Sequence, residues 1–164
     1  MSKYIRKSHN VSLILYHFVC PAKYRRVIFD KTVDLELKNV CLEISKRFEI
    51  IFLEIGTDKD HVHFLIQSVP IFSPKRIIRI VKSITSREIF SRLPHVKKTL
   101  WGGEFWSDGY FVSTVGRANS EQTIIKYIKE QGREAEYIQL HRQQLQFAFW
   151  WYPVSLLRGS SFLE

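Results

Sequence analysis

Residues 49–69 read EIIFLEIGTDKDHVHFLIQSV. Two apolar runs rich in β-branched and aromatic residues flank GTDKD, a cluster of turn formers, so the stretch predicts a β-hairpin with strands over 49–55 and 61–69 and a turn over 56–60. Side chains alternate across a strand, which places His61, His63 and Leu65 on one face of the returning strand and Val62, Phe64 and Ile66 on the other. Two imidazoles thus stand side by side on a strand that is otherwise headed for a core.

Upstream of the hairpin, residues 11–19 are rich in β-branched and aromatic types and stop at Pro21, which predicts a strand. Residues 30–48 carry Val33, Leu37, Val40, Cys41 and Ile44 at helical spacing. Downstream, Ser73-Pro74 supplies a cap and a first helical residue for a second helix that Pro94 ends. Its expected core stripe is Ile77, Ile80, Val81, Ile84 and Phe90, with Lys75, Arg76, Arg79, Lys82, Arg87 and Arg92 supplying charge. The stretch LWGGEFWSD over 100–108 reads as an aromatic loop, 109–115 as a fourth strand, and NSEQTIIKYIKEQGREAEY as a third helix capped by Asn119 with Gln122.

The order β-α-β-β-α-β-α predicts an α+β fold. Its first six elements match the ferredoxin-like βαββαβ pattern, an antiparallel sheet with helices on one face, and a C-terminal helix is added. A length of 164 residues, 45% hydrophobic and 14% aromatic, argues for one domain and against disorder. That domain is expected to have its core over about 10–135 and an apolar tail over 136–164. Phe147, Phe149, Trp150 and Trp151 of the tail need burial, either in the core or against another subunit.

Twenty-five Lys and Arg against 16 Asp and Glu give a net charge of +9, which favours a polyanionic partner such as nucleic acid. Cys20 and Cys41 lack the spacing of a zinc ribbon or a disulfide framework and read as reduced, buried thiols of a cytoplasmic protein. The N-terminal apolar run is interrupted by Ser12, Tyr16 and His17 and reads as a strand rather than a signal peptide; nothing reaches transmembrane length, so no membrane partner is expected.

His-x-His on a strand can present two nitrogens to one metal ion, or it can be two partly buried histidines held by hydrogen bonds. In the third helix Tyr127 and Gln131 are four apart and share a face, flanked by Ile124 and Ile128. Asp58 and Asp60 read as turn formers, and Glu54 is placed to approach the histidines from the neighbouring strand. His9, His17, His95 and His141 have no spacing that supplies a third ligand.

Taken together, DHVHFLI after a hairpin, LWGGEFWSDGYFVSTVG, and a helix bearing YIKEQ resemble the HUH single-tyrosine transposases of the insertion sequence 200/605 group, over roughly residues 10–135 and in the same motif order. The resemblance implies that His61, His63 and Gln131 are ligands of a divalent metal, Mg²⁺ or Mn²⁺, and that Tyr127 is the nucleophile that attacks single-stranded DNA. It also implies recognition of hairpins at element ends, in a bacterial or archaeal cytoplasm. It further implies a homodimer in which the tyrosine helix serves its own or the partner's histidine pair. Gly116 and Gly132 are candidate pivots for that helix.

Lys75, Arg76, Arg79 and Lys82, with Lys97, Lys98 and Arg117, are candidates to track a phosphate backbone, with a solvated helix face as the alternative. Trp106 is a candidate to stack on an unpaired base, although several of the rings at 101–111 must be core. Two other functions compete. One is a related HUH nuclease, either repeat-associated or a replication or conjugation relaxase. The other is a non-catalytic single-stranded DNA-binding module, which would not need His61, His63, Tyr127 and Gln131 all in register.

Overall fold

The computed structural model describes residues 4–100, 103–116 and 119–129. The chain divides into two compact units, 1–131 and 132–164, and every described element belongs to the first. A short ribbon pairs β1 (Ile5–Arg6) with β2 (Val11–Ser12). There follow β3 (Ile14–Pro21), α1 (Lys31–Arg47), β4 (Ile50–Thr57), β5 (His61–Ser68), α2 (Pro74–Arg92), α3 (Pro94–Thr99), β6 (Phe111–Thr114) and α4 (Asn119–Lys129).

The main sheet has the order β4-β5-β3-β6, with every pairing antiparallel. This is the ferredoxin-like arrangement that the hairpin and the alternation of elements predict. The expected first strand over 11–19 is split: residues 11–12 leave the sheet to pair with β1, and the sheet strand proper starts at Ile14. Pro21 ends it at a position paired with His61.

Helix α1 starts because the Asp30 carboxylate accepts from the backbone N–H of Thr32 at 2.9 Å and of Val33 at 2.8 Å. Its buried residues are Val33, Leu37, Val40, Cys41 and Ile44, the stripe that the spacing predicts. Helix α2 is capped by Ser73, whose hydroxyl accepts from Arg76 N at 3.2 Å. Its buried residues are Ile77, Ile78, Val81, Thr85 and Ile89, while Ile80, Ile84 and Phe90 pack at the margin. Isoleucines crowd this helix, so the sequence does not fix which flank of the stripe turns inward. Pro94 ends α2 and also opens α3, a helix the sequence did not announce.

Helices α1 and α2 cover one face of the sheet. Phe18 and Cys20 of β3 and Val62, Phe64 and Ile66 of β5 meet them there, together with Phe105 and Trp106 from the loop before β6. A bulge at Leu53 lets both Phe52 and Ile55 of β4 turn to this face although they are three residues apart. The opposite face carries a smaller cluster in which Ile128 of α4 packs with Leu15, Leu65 and Val115. Covered on both sides, β5 is buried along its whole length.

Cys20 and Cys41 are buried free thiols, as expected. Burial pushes both upward in pKa, Cys20 to about 12, so neither is a thiolate at neutral pH.

Candidate functional site

The face beneath α4 is where the sheet carries polar groups. His61 and His63 lie there on β5, 5 % and 1 % exposed, with ring centroids 5.0 Å apart. Burying an imidazole requires partners for its nitrogens, and different groups meet the two rings.

His61 Nδ1 lies 2.7 Å from Asp60 Oδ1. A carboxylate only accepts, so Nδ1 carries the proton and Nε2 is the nitrogen a metal would take. Asp60 is itself held by Arg25, whose Nε donates to Oδ2 across 2.8 Å. Tyr24 and Arg25 are both in the left-handed region, with φ of 57° and 54°. This strained turn aims Arg25 at the hairpin turn, where Ala22 N also donates to Asp60 O at 2.8 Å. The sequence read Asp60 as a turn former; its side chain also orients His61.

His63 meets His17 of the adjacent strand, with Nδ1 and Nε2 2.9 Å apart. Val19 is the residue paired with His63, so His17 reaches it on the diagonal. Burial lowers the His17 pKa to about 4, which keeps the ring neutral at physiological pH. Sequence spacing found no role for His17. A usable signal was present all the same: ferredoxin order puts β3 beside β5, and His17 has the parity of Leu15 and Val19.

Glu54 pairs with Leu65, on the same face as the histidines. Lys129 of α4 approaches its carboxylate at 3.7 Å. Tyr127 lies on α4, one residue before the buried Ile128. The Tyr127 side chain, Gln131, Arg117 and Gly132 lie outside the described residues, as does the tail. The helix begins at Asn119, whose side chain also lies outside the described ones, as therefore does the expected cap. Among the described residues no group of three or more His, Cys, Asp or Glu side chains could hold a metal ion. The chemistry of the pair nonetheless fits one, since both rings are held through Nδ1 and share a face.

The basic residues of α2 belong to the opposite face of the sheet. Lys75, Arg76 and Arg79 are exposed, and Arg76 lies over the Phe72 ring at 4.7 Å. Lys75, Arg79 and Arg87 line a cavity of about 540 Å³ between α2 and the loop 103–110. Two residues expected to touch DNA are engaged within the fold. Lys82 is half-buried, and its ammonium donates to the carbonyls of Ser107 at 2.8 Å, Asp108 at 3.3 Å and Gly109 at 2.8 Å. Trp106 is 6 % exposed, and its indole N–H donates to Thr85 Oγ1, so its ring is committed to the core rather than to a base.

The ferredoxin-like sheet thus carries its histidine pair on the face under the last described helix. The family described as "Transposase IS200 like" matches residues 10–131, and the chain belongs to that family. It is similar to the ISDra2 transposase TnpA of Deinococcus radiodurans, 31% identical over 118 residues that make up 71% of this chain and 82% of the relative. It is similar also to the IS200 transposase of Salmonella typhimurium, 29% identical over 73% of this chain and 77% of that one. Among solved structures, a Deinococcus radiodurans protein assigned as a transposase superposes with a TM-score of 0.61 and 28% identity, over 77% of this chain and 97% of the other. A REP-associated tyrosine transposase, solved bound to a REP hairpin, shares the fold with a TM-score of 0.52 at 13% identity, over 78% of this chain and 70% of the other.

Proposed function

We propose that the chain cleaves and rejoins single-stranded DNA at insertion-sequence ends through a 5′-phosphotyrosine on Tyr127. The observation that carries this reading is the placement of His61 and His63, each met at Nδ1 by a different partner, on the sheet face under the helix that bears Tyr127.

In the proposed step the Tyr127 hydroxyl oxygen attacks phosphorus, the bond from phosphorus to the 3′ oxygen breaks, and that oxygen leaves as a hydroxyl. One phosphodiester is exchanged for another, so attack by a second 3′-hydroxyl reverses the step without ATP. His61, His63 and Gln131 would hold Mg²⁺ or Mn²⁺, with DNA phosphate and water completing the shell. A divalent ion there supplies Lewis-acid polarisation of the scissile phosphate and stabilises charge on the departing oxygen. Such help matters because a phenol with a pKa near 10 is a weak nucleophile at neutral pH.

The reading extends to DNA ends that fold into hairpins, and to a homodimer that acts in a bacterial or archaeal cytoplasm. Lys75, Arg79 and Arg87 would take backbone phosphates in the α2 cavity, on the other side of the sheet from the cleavage site. Gly116 and Gly132 bracket α4 and would let it pivot.

The test mixes the protein with Mg²⁺ and labelled single-stranded oligonucleotides that cover both flanks of its own gene, then resolves the products on a denaturing gel. A covalent adduct lost in Tyr127→Phe is expected. Binding without any adduct, with Mn²⁺ as well, would instead identify a non-catalytic DNA-binding module.

A further inference from the structure

We propose that His17 is a positioning residue for the metal site: its Nε2 accepts the Nδ1 proton of His63 and so presents the His63 Nε2 lone pair to the ion. The inference rests on the metal-site reading above and concerns how one of its two ligands is prepared.

The nitrogens are 2.9 Å apart, and the ring planes lie within 17° of each other with centroids separated by 5.2 Å. That separation leaves little beyond the two ring radii once the nitrogen–nitrogen distance is allowed for. The imidazoles therefore meet edge to edge, as an N–H···N bond requires, and not face to face. Phe111 of β6 stands edge-on to His17 at 6.3 Å and 72°, closing its other flank. Both histidines are nearly inaccessible, His17 at 5 % and His63 at 1 %, so water does not compete for the contact.

A neutral imidazole has one N–H and one lone pair. If Nε2 of His63 is to bind a cation, its proton must sit on Nδ1, and a donor there needs an acceptor. Metal-bound histidines usually find a carboxylate or a carbonyl for this purpose, and Asp60 plays that part for His61. His63 has a second imidazole instead. The two ligands are thus prepared unequally: His61 is backed by a carboxylate that Arg25 also holds, whereas His63 is backed by a second imidazole buried in the sheet.

The experiment uses the full chain with Mn²⁺ alone as the probe, and follows free Mn²⁺ by its paramagnetic resonance. His63→Ala should abolish tight binding. His17→Phe, which keeps a flat ring but removes the nitrogens, should weaken it roughly 10- to 100-fold. His17→Gln, which restores an acceptor oxygen, should recover most of the loss, and thermal melting of each variant reports whether it folds. In the metal-free wild type, ¹⁵N correlation spectra should show His63 with its proton on Nδ1; this holds as a test even where His17→Phe does not fold. His63 protonated on Nε2 would overturn the proposal. So would wild-type affinity in His17→Phe where His63→Ala has lost binding, and so would spin-echo spectra that count three bound imidazoles in the wild type and two in His17→Phe, which would make His17 a ligand. Unchanged binding in His63→Ala would instead remove the metal-site reading itself.

Discussion

Trp106 Nε1 donates to Thr85 Oγ1 across 2.9 Å inside the core, tying the loop before β6 to the middle of α2. The hydroxyl passes its own proton to Val81 O at 2.7 Å. Thr85→Val keeps the shape but strands a buried indole N–H, and the expected cost is about 1–3 kcal/mol. Thr85→Ser keeps the hydroxyl and should cost less. Urea unfolding of the two variants decides the point, and an equal loss in both would assign the effect to packing alone.

Lys82 and Arg79 occupy the same basic helix but should behave differently toward DNA. The ammonium of Lys82 is spent on three carbonyls, and burial lowers its pKa. Lys82→Met is expected to loosen residues 107–109, seen as faster proteolytic nicking of that loop, and to leave the salt dependence of oligonucleotide binding unchanged. Arg79→Ala should reduce the salt slope by about one. A Lys82→Met slope reduced as much as that of Arg79→Ala would place the lysine on phosphate after all.

Acid should weaken the fold through His17. Its folded pKa is about 4 against an ordinary 6.5 because burial disfavours the imidazolium. The unfolded chain therefore binds the proton first as pH falls. Stability associated with His17 is complete above about pH 6.5, declines down to about pH 4 and is flat below. The loss by pH 5 should be about 2 kcal/mol. Denaturant midpoints at pH 7 and pH 5 should differ less for His17→Phe than for the wild type, and an identical difference would refute this origin.

Asp60 links Arg25 to His61, and Asp60→Asn keeps an acceptor oxygen while removing the charge. Mn²⁺ affinity should drop roughly tenfold, and further in Asp60→Ala, which removes the acceptor as well. Calorimetric titration of both variants checks the order: wild-type affinity in Asp60→Asn would show that the charge does not matter, and equal losses in the two variants that the acceptor oxygen does not.

The hairpin at 49–69 made most of this fold legible. Once strands over 49–55 and 61–69 are paired, the flanking helical patterns leave few topologies, and the alternation along β5 already separates the histidine face from the helix face. What the sequence could not supply was register and depth. His17 became a neighbour of His63 only through the pairing of Val19 with His63, which no local pattern encodes. Lys82 and Trp106 looked like surface chemistry because residue type says nothing about whether an ammonium or an indole already has partners. Asp60 read as a turn former because turn propensity and hydrogen bonding to a neighbour draw on the same short carboxylate.

The small apolar patch under α4 sets a hierarchy of motion. Ile128 is the fully packed aliphatic contact of this helix, with Ile124 and Ile125 half-buried beside it, whereas β3 and β5 are gripped from both sides. Lifting α4 exposes little apolar area, so its amides should exchange with deuterium through a local opening, long before those of β3 and β5, which wait for global unfolding. Tyr127 thus rides on an element that a local opening can release, and His61 and His63 on a strand that stays closed until the sheet itself opens.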